Sequence, residues 1–305
     1  MKLSLVIPSY NEKDNIHFIY GQIMDCHLEK IIPDMEIIFV DDGSSDGTFG
    51  EIRLLSQKDN RIKGMQFSRN FGKPVAILAG LKESAGDFVI TLDADGQHPP
   101  AFIPELINEQ KKGYDIINTK RQATSQIGWL NRLISRFYYR ILNFFSEVRV
   151  EPFSTDFRLM TRNAVNAFLD LDERNRYTNG LVSWIGFRQS ILNYHSPGRH
   201  TGKSKFNLRK LLRLGMDGIT SFSTRPVKIS FIIGLFVILL GLIYAIYAFF
   251  NFFFGHTTPG WTSLMIVLLL LGGIQLLSLG IIGEYISRIF SESKRRPHYF
   301  LQDRC

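Results

Sequence analysis

Two long stretches near the C-terminal end carry no charged side chain, Ile229 to Gly255 and Trp261 to Gly283. Each exceeds the ~20 residues that a helix needs to cross a bilayer core. Lipid offers no water to backbone amides, so a spanning segment must be helical or belong to a closed barrel. The spacing predicts two transmembrane helices, at about 227–252 and 261–285, joined by a link, Asn251 to Gly260, without Lys or Arg. Arg225 and Lys228 precede the pair, and Arg288, Lys294, Arg295 and Arg296 follow it. The cytoplasmic bias of Lys and Arg predicts both flanks and both termini inside and the link outside, with Trp261 and the aromatics of 249–254 near the outer interface. The opening Met1-Lys-Leu-Ser-Leu-Val-Ile-Pro8 reads as a strand entering a turn, not as a signal peptide.

The chain before these runs alternates strand-like and helix-like segments. Leu3 to Ile7, Glu36 to Val40, Ile62 to Phe67 and Phe88 to Leu92 are short apolar runs that read as buried strands. Helical stretches are expected to about Leu28, around Ile52 to Leu55, and from Pro74 to Ser84. Further strands are expected at Ile116 to Asn118, Asp156 to Met160 and Ser190 to Tyr194. The alternation predicts an α/β class, with a mostly parallel sheet covered on both faces.

Three of these strands run into charged loops. Phe88 to Leu92 ends in Asp93-Ala-Asp95-Gly-Gln97-His98-Pro99-Pro100, where two prolines stop the strand. Two alternating carboxylates and the Gln97 carbonyl offer hard oxygen ligands for Mg²⁺ or Mn²⁺ beside a diphosphate. The other loops carry Tyr10 to Glu12 and Asp41-Asp42. Ligands of open α/β sheets sit beyond the carboxyl ends of strands, so one rim collects polar groups from distant segments. Two imitators fail: an EF-hand begun at Asp42 would close on Arg53 instead of Glu, and a P-loop ending in Gly202-Lys203-Ser204 would need glycine at Pro197. No Gly-x-Gly-x-x-Gly follows the first strand, which disfavours a dinucleotide dehydrogenase.

The net charge of +8 and pI of about 9.4 suit anionic partners. Much of that charge lies beside apolar faces, which points to lipid and not to nucleic acid. In an amphipathic helix at about 126–146, Leu130, Leu133, Ile134, Phe137, Ile141 and Phe144 share one face, and Arg132, Arg136 and Arg140 line another. Residues 205–225, with Arg209, Lys210 and Arg213 among leucines, form a similar juxtamembrane segment. Packing against the sheet competes with an interfacial role for both. Cys26 and Cys305 are too few and too scattered for a disulfide framework or a zinc site, which fits a reducing compartment.

Taken together, Val6-Ile-Pro8-x-Tyr10-Asn11-Glu12, Val40-Asp41-Asp42-Gly43-Ser44-x-Asp46-x-Thr48, Asn70-x-Gly72-Lys73 and the Asp93 to Pro100 segment resemble the inverting family 2 glycosyltransferases of GT-A fold. Asp156-Phe-Arg158-Leu-Met160, Gly180-Leu-x-x-Trp184-x-Gly186-Phe187-Arg188 and Arg199-x-x-Gly202-x-Ser204-Lys205-Phe206 resemble the polyprenyl-phosphate branch, which includes dolichol-phosphate mannose synthase and the bacterial bactoprenol glucosyltransferases. The resemblance implies a glycosyltransferase domain over 1–204, two spans within 226–288 and a basic cytosolic tail over 289–305. It implies a nucleotide-sugar donor (UDP-glucose favoured), a divalent metal, a polyprenyl (undecaprenyl) phosphate acceptor and a place in the bacterial inner membrane.

Carried onto this chain, the resemblance puts Pro8, Tyr10, Glu12, Asp41, Asp42, Lys73 and Asp93 at the donor. It gives the metal to Asp93, Asp95 and Gln97, and makes Asp156 the candidate catalytic base or an orienting group. Arg121, Arg132, Ser135, Arg199, Ser204 and Lys205 become candidates for gripping the acceptor phosphate and the donor diphosphate. Asn179 departs from the pattern, which has a basic residue there, and Gly96 stands where Leu is common. A polysaccharide synthase is one alternative, although its Gln-x-x-Arg-Trp and additional spans are missing. A non-catalytic membrane subunit that retains the fold is another. Two lone spans also invite self-association.

Overall fold

The computed structural model describes residues 1–122, 154–174, 176–197, 225–253 and 260–305. The amphipathic helix expected at 126–146 lies outside them, as do Arg132, Ser135, Arg199, Ser204, Lys205 and all but the last residue of the juxtamembrane segment.

An eight-stranded sheet organises the α/β domain, in the order β7 (Gln189–Tyr194), β5 (Ile116–Arg121), β6 (Ser154–Thr161), β4 (Phe88–Thr91), β1 (Lys2–Ser9), β2 (Asp34–Asp41), β3 (Ile62–Phe67) and β8 (Leu301–Arg304). β1, β2, β3 and β4 are mutually parallel where they pair. β6 runs antiparallel between β4 and β5, and β7 pairs parallel with β5. The α/β class read from the sequence is the class observed.

Both faces of the central strands are apolar because both are covered. Leu3, Leu5, Ile7, Ile37 and Phe39 pack in one core with α1 (Lys13–Asp25), α2 (Thr48–Lys58) and α4 (Ile103–Gln110). The intervening Val6, Ile38 and Val40 pack in the other, with α3 (Lys73–Glu83), α5 (Arg162–Leu169) and α6 (Thr178–Trp184). The period-two alternation of a strand thus feeds two cores instead of a core and solvent. α3 lies close on β1: a Cβ on Gly80 would meet Val6 Cγ1 at 2.2 Å.

α7 (Arg225–Phe253) and α8 (Trp261–Ser293) are long and apolar enough to cross a membrane, and the protein itself covers little of them. Phe231, Phe236, Leu276 and Leu277 are among their exposed side chains. α8 outruns the span expected at 261–285, and its last turns carry a Glu284–Arg288 ion pair at 3.0 Å.

The basic tail expected over 289–305 includes the end of α8 and a strand. Glu292, still in α8, accepts the Arg174 N–H at 2.9 Å, and β8 (Leu301–Arg304) adds antiparallel to β3 at the sheet edge. The α/β domain is therefore not confined to residues 1–204, because its last strand is supplied after the apolar helices.

Candidate active site

β1 lies between β2 and β4, so the strand order reverses beside it. Such a switch point opens a crevice at the carboxyl ends of the strands. Among the described residues, two neighbouring cavities open on this rim. The larger, of about 330 Å³, is lined by Pro8, Ser9, Tyr10, Glu12, Asp42, Asn70, Gly72, Lys73, Ala76, Asp93, Ala94 and Asp95. The smaller, of about 220 Å³, is lined by Lys73, Asp93, Gln97, His98, Arg121, Thr155, Asp156, Asn179 and Tyr194. Lys73 and Asp93 belong to both walls.

In the larger cavity Asp42 is held from behind. Its carboxylate accepts the Phe71 N–H at 2.7 Å and the Gly72 N–H at 2.9 Å. Burial raises its pKa above the ordinary aspartate value, with those two amides acting in the opposite sense. Gly43 turns the chain after it at φ +70°, and a Cβ there would meet the Arg69 carbonyl carbon at 2.4 Å. Asp41 departs from its expected donor role. It is fully buried, lines neither cavity, accepts Gln66 Nε2 at 3.0 Å and bonds the Ser44 hydroxyl.

Between the cavities, Lys73 Nζ lies 2.7 Å from Asp93 and 2.8 Å from Asp156. Burial alone would raise both carboxyl pKa values. The ammonium outweighs it, holding Asp93 below its usual range and, with Arg158, Asp156 at about 2. Partial desolvation in the cleft opposes the charge on Lys73, yet the two carboxylates raise its pKa above the ordinary lysine value. The Lys73 side chain remains 42% exposed, so the clamp is open to ligands.

Three residues to which the sequence reading gave no role hold this centre in place. The His98 imidazole accepts the Asp93 N–H on Nδ1 at 2.9 Å and stacks on Phe157 at 5.2 Å. Burial lowers the His98 pKa, and a ring accepting at Nδ1 carries its proton on Nε2. Thr91 donates its hydroxyl to the Asp156 carbonyl. Arg158, 2% exposed, donates through Nη2 to the Thr155 carbonyl at 2.9 Å and to Asn179, and lies 3.6 Å from Asp156. A basic residue at 179 would oppose that guanidinium, which gives a physical reason for Asn179. Gln-His-Pro-Pro and Asp-Phe-Arg were visible as motifs, but burial was not.

For a divalent cation the donor set is sparse. Among the described residues no group of three His, Cys, Asp or Glu side chains gathers. Asp93 and Asp95 both face the larger cavity, and Asp95 accepts the Gln97 N–H at 3.1 Å. The Gln97 carbonyl, expected as a metal ligand, accepts the Ser196 hydroxyl at 2.9 Å, and Gln97 lines the smaller cavity. One or two carboxylates suit a Mg²⁺-type ion that completes its shell with phosphate and water. The residues fit such an ion and not an all-protein site.

Residues 4–170 match the family model "Glycosyl transferase family 2", and residues 225–289 match "GtrB C-terminal hairpin". The bactoprenol glucosyl transferase of Shigella phage SfX is 39% identical over 306 residues, covering 100% of both chains. The prophage bactoprenol glucosyl transferase homolog of Escherichia coli K12 is 38% identical over 303 residues, 99% of each. Among solved structures, glucosyl-3-phosphoglycerate synthase of Mycobacterium tuberculosis aligns with a TM-score of 0.47 at 18% identity, over 72% of this chain and 77% of that one. With a domain match over more than half its length and full-length relatives of the same kind, the chain belongs to glycosyl transferase family 2 and is a glycosyltransferase.

Proposed function

We propose that this enzyme transfers a sugar, glucose from UDP-glucose in first place, to a polyprenyl phosphate at the cytoplasmic face of a bacterial inner membrane. The observation that carries the reading is the wall shared by the two cavities, Lys73 and Asp93. A nucleotide sugar lies in the larger cavity, its base towards Asp42 and Tyr10 and its diphosphate towards Asp93 and Asp95. The lipid phosphate enters the smaller one beside Arg121. The α7–α8 hairpin keeps the enzyme at the surface that the lipid cannot leave, which the full-length likeness to bactoprenol glucosyl transferases supports.

The chemistry asks little covalent work of the protein. The nucleophile is a phosphate oxygen and the leaving group a nucleoside diphosphate. Alignment of the two anions across the anomeric carbon is the main requirement, worth ~7–11 kcal/mol at most. Asp93 and Asp95 would hold a Mg²⁺ or Mn²⁺, which would supply charge neutralisation for the departing diphosphate. Lys73 stands at the wall between the anions and offsets their repulsion from either side. A single displacement inverts the centre, so an α-linked donor gives a β-linked lipid phosphate.

Asp156 orients more than it abstracts. A carboxylate titrating at about 2 is a weak base, and a phosphate monoester with its second pKa near ~6 is already mostly dianionic at neutral pH. Its carboxylate fixes the Lys73 ammonium from the acceptor side.

The test is incubation of the purified protein with undecaprenyl phosphate, Mg²⁺ and a panel of radiolabelled nucleotide sugars. Label from UDP-glucose extracted into organic solvent is the expected result. Label from another sugar alone corrects the donor, and no label from any sugar overturns the reading.

A further inference from the structure

The chain leaves α8 at Ser293 and comes back to the edge of the sheet at β3. β8 pairs with β3 through Met65–Arg304 and Phe67–Leu301, with a register shift between Gln66 and Phe67. Past the end of β3 the Ser68 N–H donates to the Phe300 carbonyl at 3.0 Å, so the tail also ties the start of the next loop. The Tyr299 ring stacks on Phe67 at 4.8 Å and 22°. Phe71 stands edge-on to Phe67 at 5.7 Å, and Phe300 lies 6.4 Å from Phe71. The N–H groups that hold Asp42 belong to Phe71 and Gly72. One side of this loop therefore faces the cavity and the other is braced by the tail.

We propose that residues 299–305 form a positioning clasp for the nucleotide half of the donor: the tail fixes loop 68–72, and the loop fixes the Asp42 carboxylate. This rests on the donor occupying the larger cavity. A buried carboxylate is held in one orientation only while its amide donors are, and Phe71 carries one of the two. The clasp follows α8 after only the short segment 294–298, where His298 Nε2 meets Asp172 at 2.8 Å. Neither cavity is lined by a tail residue, so the link from the apolar hairpin to the donor pocket runs through loop 68–72, whose Asn70 and Gly72 line the larger cavity.

The experiment uses full-length enzyme with UDP-glucose and undecaprenyl phosphate. Tyr299→Ala is expected to raise KM for UDP-glucose about tenfold, the scale of one lost aromatic contact, with kcat and the acceptor KM within about twofold. Tyr299→Phe, which keeps the stacked ring, is expected to behave as wild type. Ending the chain after His298 is expected to raise the donor KM further. A folded Tyr299→Ala with an unchanged donor KM overturns the proposal, as does an equal rise in both KM values, which marks a general loss of structure. Should Tyr299→Ala not fold, Phe300→Ala decides in the same way, since Phe300 is largely exposed. Failure of the wild-type enzyme to bind UDP-glucose would count against the donor reading and not against the clasp.

Discussion

Lys73 holds two carboxylates with one ammonium, and the behaviour of Asp156 follows from that contact. Asp156→Asn is expected to cost ~10²-fold in kcat, the scale of a misplaced catalytic group, at pH 6 and equally at pH 8.5. Recovery at the higher pH would restore a base role, since the acceptor then needs no proton removed. A second carboxylate makes a different prediction. Burial would raise the Glu36 pKa, but Ser4, the Ala85 N–H and Lys63 hold it at about 2. The folded value lies below the unfolded one, so the stabilisation is complete above about 4.5 and is lost as pH falls through about 2. For this nearly buried group it amounts to about 3 kcal/mol, and Glu36→Gln should flatten that part of the melting-temperature profile between those pH values. Single residues were unevenly legible. Asp42, Asp93, Asp95 and Asp156 stood out because carboxylates after apolar runs are conspicuous. Asp41 looked equivalent to Asp42, but neighbouring side chains at a strand end point to opposite sides, and only one of the two reaches the cleft.

At the scale of elements, the site depends on how closely α3 lies on β1, because Lys73 opens that helix. Gly80→Val forces branched carbon against Val6 and is expected to cost about 1–3 kcal/mol, read as a lowered melting temperature. Activity should fall with it, through displacement of Lys73. The parallel strands were legible because covering both faces makes them continuous apolar runs bounded by Gly and Pro. β8 was not. Leu301-Gln-Asp-Arg304 is short and polar, its residues alternate between half-buried and exposed, and its partner β3 lies more than 230 positions away in sequence. No local pattern announces an edge strand of that kind, and the basic residues before it suggested a tail.

Over the whole molecule, the absence of charge across two stretches made the apolar helices readable, since any lysine there would have been costly in lipid. Their contact with the domain was not readable: among the described residues it includes the Arg174 N–H donating to the Glu292 carboxylate. One chain carries both the two-chambered cleft and the apolar hairpin, and on the proposed reading Asp93 and Asp95 serve sugar transfer onto a lipid phosphate. The most direct measurement is the initial rate of radiolabel transfer from UDP-glucose to undecaprenyl phosphate, at saturating Mg²⁺, by wild type and by Asp95→Ala. A loss of ~10²–10³-fold is expected in the variant, the scale of removing one group that stabilises developing charge. An unchanged rate in a folded Asp95→Ala enzyme would contradict it.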